Sequence, residues 1–248
     1  MTYSKILMMI YKGSKHQHHL SKIVKTLILV FMVLNTSIVS AQNKTLTSDT
    51  KSDSKFIVLI EAESTKSNLG EWQRISQGDT NYVEGASGNA HLEFSGNSPS
   101  TGDPNSPLEY SFTVLANGIY RLIMMSSKRL EGVRGDLCND VWVKLNGNYE
   151  SATNLGIEEL KEYIKFFQEG SIKTPERSWH WSYRAEKGKK EFFTLAYKLQ
   201  KGENYKITVA GRSQRFSFDY FVLFDESDFT LEEAKTTSIS LASKKASD

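Results

Sequence analysis

The sequence predicts an all-β fold, a β-sandwich or jelly roll with one short helical insertion. Three observations predict it. Segments that alternate apolar and polar residues recur along the chain, about eight to ten of them, many at spacings of roughly ten residues. Gly, Asn, Ser and Pro punctuate the gaps, with Asn117-Gly118 and Asn146-Gly147 as explicit turn signals. The last segment, Phe216-Ser-Phe-Asp-Tyr-Phe-Val-Leu-Phe224, is aromatic, Val-containing and nearly uncharged, the composition of a strand buried in a sheet.

The elements follow in order. Residues 1–41 read as a signal peptide: Lys22 and Lys25 open it, an apolar run follows, and Val39-Ser40-Ala41 is a small-residue cleavage site. The run is short for a membrane span, and an uncleaved N-terminal anchor is the alternative. Met8 or Met9 is an alternative start, which would leave His16, His18 and His19 without meaning. Residues 42–55 are polar and without periodicity, the expectation for a disordered linker. The domain is expected over 56–228, opening on the strand Phe56-Ile-Val-Leu-Ile-Glu61. Ala90, Leu92 and Phe94 alternate; Ser95 to Pro107 holds three of the four prolines and reads as a loop. Leu108 to Leu115 and Ile119 to Ser126 read as partner strands of a hairpin around Asn117-Gly118. Lys128 to Asn139 is a charged loop, and Asp140 to Leu145 a strand. In 154–170, Ile157, Leu160, Tyr163, Ile164 and Phe167 recur at helical spacing, with Glu158 and Glu159 in the first turn and Gly170 as a stop, which predicts a helix. Trp179 to Tyr183, Glu191 to Leu199, Tyr205 to Ala210 and the closing strand complete the domain. Residues 229–248 are expected as a polar tail, with at most a helical turn at Leu231 to Lys235.

The net charge is +2, but residues 1–41 hold five Lys and no acid, so the remainder is about −3. There is no basic arm and no electrostatic case for nucleic acid. The single cysteine, Cys138, cannot form an internal disulfide and reads as a buried small residue. The export signal places the mature protein outside the cytoplasm, secreted or periplasmic or at the cell surface.

Three carboxylates carry the first candidate chemistry. Burying the unpaired carboxylate of Asp219 is costly, so a cation or several donors should meet it. Glu61 and Glu63 end the first strand. A hard cation such as calcium, which takes oxygen ligands, would tie the two ends of the domain together; the alternative is a pair of strand-end acids. The glycines of the Gly85–Asn89 turn would let its backbone approach. The second candidate is aromatic. Trp142, Trp179, Trp181 and Tyr183 lie on polar-alternating faces or beside loops. Flat rings stack on the C–H faces of sugars, and Arg129, Asp136, Asn139, Asp140, Arg212 and Gln214 would hydrogen-bond hydroxyls. The alternative for each Trp is packing under the 154–170 insertion; Trp72 reads as core. His91 and His180 read as structural. No nucleophile elbow, HExxH, phosphate-binding loop or CxxC pair occurs.

Ile60-Glu-Ala-Glu-Ser64 resembles the opening of calcium-containing β-sandwich carbohydrate-binding modules of families 6 and 35, and Phe218-Asp-Tyr-Phe-Val-Leu223 is similar to their closing strand. Asn139-Asp-Val-Trp-Val-Lys-Leu145, Trp179-His-Trp181 and Gly211-Arg-Ser213 resemble a subgroup carried by secreted polysaccharide-degrading enzymes. The resemblance spans about residues 56–225. It implies a galactose-binding-like jelly roll with a structural calcium held by Glu61, Glu63 and Asp219. It also implies a sugar site in loops at one end, to which Arg212 to Arg215 would contribute.

The expected function is secreted, non-catalytic polysaccharide binding through Trp142, Trp179 or Trp181, with Asn139, Asp140, Arg212 and Arg129 as polar contacts. The resemblance also implies a partner enzyme or surface protein. One rival is a small β-jelly-roll lyase or glycoside hydrolase, with Arg129, Arg134 and Arg212 neutralising an acidic sugar and His180 or Tyr183 as base. The other is a protein-binding adhesion module that uses the same face.

Overall fold

A computed structural model describes residues 46–47, 55–97, 102–168, 173–187 and 191–245. The expected signal peptide and most of the expected linker lie outside the described residues. The strands are β1 (Leu46–Thr47), β2 (Phe56–Glu61), β3 (Trp72–Ser76), β4 (Ala90–Phe94), β5 (Asn105–Thr113), β6 (Gly118–Lys128), β7 (Asp140–Asn146) and β8 (Glu150–Ser151). After the single helical turn α1 (Ile157–Leu160) come β9 (Ile164–Gln168), β10 (His180–Lys187), β11 (Glu191–Phe193), β12 (Ala196–Leu199), β13 (Asn204–Gly211) and β14 (Phe216–Asp225). Helix α2 (Leu231–Lys245) closes the described chain. No helix among the described residues is long and apolar enough to cross a membrane.

All the pairings are antiparallel and run β1-β2-β14-β6-β10-β9-β7-β13-β5. β4 adds to β14, β3 to β4, and β12 to β6. The sheet folds over on itself about β10. The first residues of β10 pair with β6 (His180 to Ser126, Trp181 to Met125), and its later residues pair with β9 (Glu186 to Lys165). The front layer is therefore β2-β14-β6 and the back layer β9-β7-β13-β5. Alternation sends one face of each inward. Leu108, Tyr110 and Phe112 of β5 share one core with Leu122 and Met124 of β6 and with Phe218 and Phe221 of β14. Tyr110 meets Phe221 edge-on at 5.1 Å across the sandwich.

Three sequence expectations change. β5 and β6 do not form a hairpin: β5 pairs with β13, while β6 pairs with β14, β10 and β12. Asn117-Gly118 turns the chain from one layer to the other, because both strands bury their apolar faces in the same core. The helix expected over 154–170 is limited to α1, and Ile164 to Gln168 is strand. Ile164 and Phe166 face the core while Lys165 and Phe167 alternate outward, so the sheet seam between β10 and β7 overrides a spacing compatible with either period. The polar tail forms α2. Thr230 and Glu233 build a reciprocal cap, Glu233 N–H to Thr230 Oγ1 at 3.3 Å and Thr230 N–H to Glu233 Oε2 at 2.8 Å. This capping-box spacing stood in the sequence. Ala234, Ser238 and Ala242 recur every fourth residue and are buried. Two of them, Ala234 and Ala242, belong to a second apolar cluster on the outer face of the front layer, with Ile57, Leu59, Ile123, Met125, Tyr220, Val222 and Phe224. β14 is thus buried on both faces, which explains why apolar residues dominate it on both, with Ser217 and Asp219 as the polar exceptions inside the strand.

Candidate functional site

The carboxylates converge because of a bulge. β14 pairs with β6 through Phe218 to Ser126 and then Tyr220 to Met125, so Asp219 is the extra residue. On its other edge β14 leaves β4 after Phe218 and takes up β2 at Tyr220, opposite Glu61. Asp219 therefore stands at the gap between two neighbours. Glu61 ends β2, and Glu63 follows in the short turn Ala62–Ser64. One oxygen from each of Glu61, Glu63 and Asp219 lies within 4.8 Å of the others.

The Ser87–Asn89 turn wraps this cluster. Ser87 N–H donates to Asp219 Oδ2 at 2.9 Å and Oδ1 at 3.1 Å, and its hydroxyl donates to Glu61 Oε1 at 3.0 Å. Gly88 has φ +60, and a Cβ there would lie 3.0 Å from Glu63 Oε1, so the close approach suits glycine. Burial, with the neighbouring Glu61 and Glu63 adding repulsion, pushes the Asp219 carboxyl up to about 9 against the pull of the Ser87 N–H. An all-oxygen set of three carboxylates in a glycine-lined cradle fits a hard divalent cation such as calcium.

The tryptophans do not form one site. Trp142 is half-buried on the outer face of β7, at the level of Lys165 on β9 and Ala210 on β13. Its indole N–H donates to the Gly102 carbonyl, and the Arg212 guanidinium lies over its ring at 5.5 Å. Arg212 Nη1 donates to both Asp140 oxygens, at 2.7 and 2.8 Å. Lys165 Nζ lies 3.3 Å from Asp140 and 2.6 Å from Glu186. The chain thus brings Trp142, Asp140 and Arg212 together. Asn139 is buried beside them, its carbonyl accepting the Gln168 N–H at 2.9 Å.

Trp179 and Trp181 lie instead against the second apolar cluster. Trp181 meets Tyr220 edge-on at 6.0 Å and Trp179 meets His91 edge-on at 5.3 Å. Two strand spacings and about five residues of register separate Trp181 from Trp142, and the sheet folds over between them. Trp72 is core, edge-on to Phe218 at 5.3 Å. Lys235 of α2 lies over Tyr183 at 4.7 Å. His180 Nε2 bonds the Ser178 hydroxyl at 2.9 Å, and burial lowers its pKa, with Lys128 adding to the effect. Cys138 is buried, and burial raises its thiol pKa.

Arg129 is held elsewhere, by Glu93 at 2.7 Å and by Glu131. Glu93 is 2% exposed. Arg129→Ala should therefore destabilise the fold by about 3–5 kcal/mol in urea unfolding, because a buried carboxylate loses its counter-charge, and should leave glycan affinity unchanged. Arg134 pairs with Asp136 at 2.5 Å, so the three arginines Arg129, Arg134 and Arg212 each engage a carboxylate of their own. Sequence reading missed Lys165 and the outward Phe167 because it placed 154–170 on a helix, and Glu186 because it ended the preceding aromatic segment at Tyr183, short of the β10 end.

No protein-family model matches the chain, and no curated protein matches it. It is similar to several solved structures. A family 35 carbohydrate binding module from Clostridium thermocellum is 15% identical with a TM-score of 0.37, covering 68% of this chain and 98% of that one. The C-terminal CBM6 of a marine laminarinase from Zobellia galactanivorans is 10% identical with a TM-score of 0.37, covering 68% and 99%. A GH26-CBM35 β-(1,4)-mannanase from Podospora anserina is 11% identical with a TM-score of 0.38, covering 71% of this chain and 29% of that one, so the chain spans less than a third of that enzyme. At these TM-scores the similarity stands as an observation, and the functional reading rests on this chain's own residues.

Proposed function

We propose that this chain is an exported, non-catalytic polysaccharide-binding module whose fold is held by a calcium ion. The observation that carries the binding reading is the outer face of β7, where Trp142, Arg212 and Asp140 converge. The indole presents an apolar face to the C–H side of a pyranose ring. Asp140 fixes the guanidinium, so Arg212 stays oriented and offers N–H groups to ring hydroxyls without losing rotamer freedom on binding. Trp179 and Trp181 act as packing in this reading, since both cover the front layer's second cluster.

Glu61, Glu63 and Asp219 would hold the cation. When bound, calcium supplies the positive charge that lets all three carboxylates ionise together. It would join the end of β2 to the bulge of β14 and leave the sugar face to Trp142.

Affinity gel electrophoresis of residues 42–248 against plant and algal polysaccharides, with and without chelator, tests the function. Retardation by one glycan class, with no reducing sugar or unsaturated product released, is the expected result. Product release would replace the module with an enzyme. No retardation from a folded sample would favour a protein-binding surface.

A further inference from the structure

The register of the back layer extends the Trp142 surface across four strands. Trp142 pairs with Lys165, Lys165 with Glu186, and Glu186 with Phe192. Residues directly opposite in antiparallel strands share a face, so Trp142, Lys165, Glu186 and Phe192 form one transverse row. The inward neighbours confirm the face: Phe193, Ala185, Phe166 and Val141 all pack on the core. Phe192 is 53% exposed and meets Phe167 at 5.4 Å. An aromatic ring therefore stands at each end of the row, three strand spacings or roughly 14 Å apart. The centre is charged but internally balanced, since Lys165 is paired with Glu186 and Asp140, and Arg212 with Asp140.

Resting on the binding reading above, we propose that this row is an extended site for the interior of a neutral polysaccharide chain. The chain would lie across the strands, one ring stacked on Trp142 and another on Phe192. The span between the two aromatics exceeds a single pyranose ring, so monosaccharides are poor ligands, and a row open at both ends lets a chain continue past either ring. The paired Lys165 and Glu186 contribute a donor and an acceptor to hydroxyls between the aromatic ends, and each neutralises the other at the centre of the row.

Calorimetry of the full chain against cello-, xylo-, manno- and laminari-oligosaccharides, from disaccharide to hexasaccharide, tests the proposal. Affinity for the bound series should climb with length until both rings are engaged. Phe192→Ala should weaken hexasaccharide binding about fivefold or more while leaving disaccharide binding unchanged; Trp142→Ala should weaken both about tenfold or more. Phe192 is exposed, so its variant should keep the wild-type unfolding midpoint. A hexasaccharide affinity unmoved by Phe192→Ala but lost in Trp142→Ala would overturn the extended site and leave the binding reading intact. Arg184 is exposed on β10 opposite Phe167, on the same face as the row; preference for a uronic acid hexamer run beside the neutral series, lost in Arg184→Ala, would overturn the neutral-chain assignment. Binding to none of these glycans would overturn the binding reading itself.

Discussion

Calcium added to chelator-stripped protein at pH 8 should raise its unfolding midpoint by roughly 5–10 °C, the shift expected when a ligand at about a hundred times its Kd binds only the folded state of a domain this size. The pH dependence makes the expectation specific to Asp219. In the ion-free protein its carboxyl is pushed up to about 9, far above the ordinary carboxylate range, so the folded state binds the proton more tightly than the unfolded one. Its contribution is fully present below about pH 4 and is lost as pH rises through about 9. Ion-free stability should therefore fall across that window, by up to about 1.4 kcal/mol per pH unit. Saturating calcium keeps the carboxylates ionised and should flatten the slope. Asp219→Asn should flatten it without calcium and abolish the calcium-induced rise. Differential scanning calorimetry of wild type and variant at several pH values reads both effects, and a wild-type midpoint that neither calcium nor pH moves would dismiss the cation site.

Trp142→Ala should weaken polysaccharide binding by about 1–3 kcal/mol, a change of roughly fivefold to 150-fold in retardation constant, with little loss of stability. Trp181→Ala should behave in the opposite way. Its ring packs edge-on against Tyr220 over the front layer, so its removal should cost about 1–3 kcal/mol of stability and leave the glycan constant unchanged. Urea unfolding paired with affinity electrophoresis separates the two. Binding lost in Trp181→Ala and kept in Trp142→Ala would move the sugar site to the α2 side of the sandwich. The contrast follows from position alone, as both residues are tryptophans on alternating strands.

Much of this protein is local information. Period-two alternation around Val141, Val143 and Leu145, the Gly- and Pro-rich gaps, and the doubly buried composition of Phe216 to Phe224 each reflect a neighbouring-residue constraint, and these determined the all-β class and most strand positions. A carboxylate in an apolar strand announced its own cost, so Asp219 and the strand-end acids Glu61 and Glu63 were legible as a group. So was the Thr230-x-x-Glu233 cap, although the small residues behind it disguised α2 as tail. What the tertiary structure alone decided is pairing. Asn117-Gly118 specifies a turn, but only the shared core placed its two strands in opposite layers. Ile164 to Gln168 suits either period until β7 and β10 offer it a seam. The bulge that turns Asp219 toward Glu61, the fold of the sheet that separates Trp181 from Trp142, and the row that aligns Trp142 with Phe192 are all matters of register between strands distant in sequence. Register is set by burying one face of every strand at once, a condition of the whole sheet that no single segment carries.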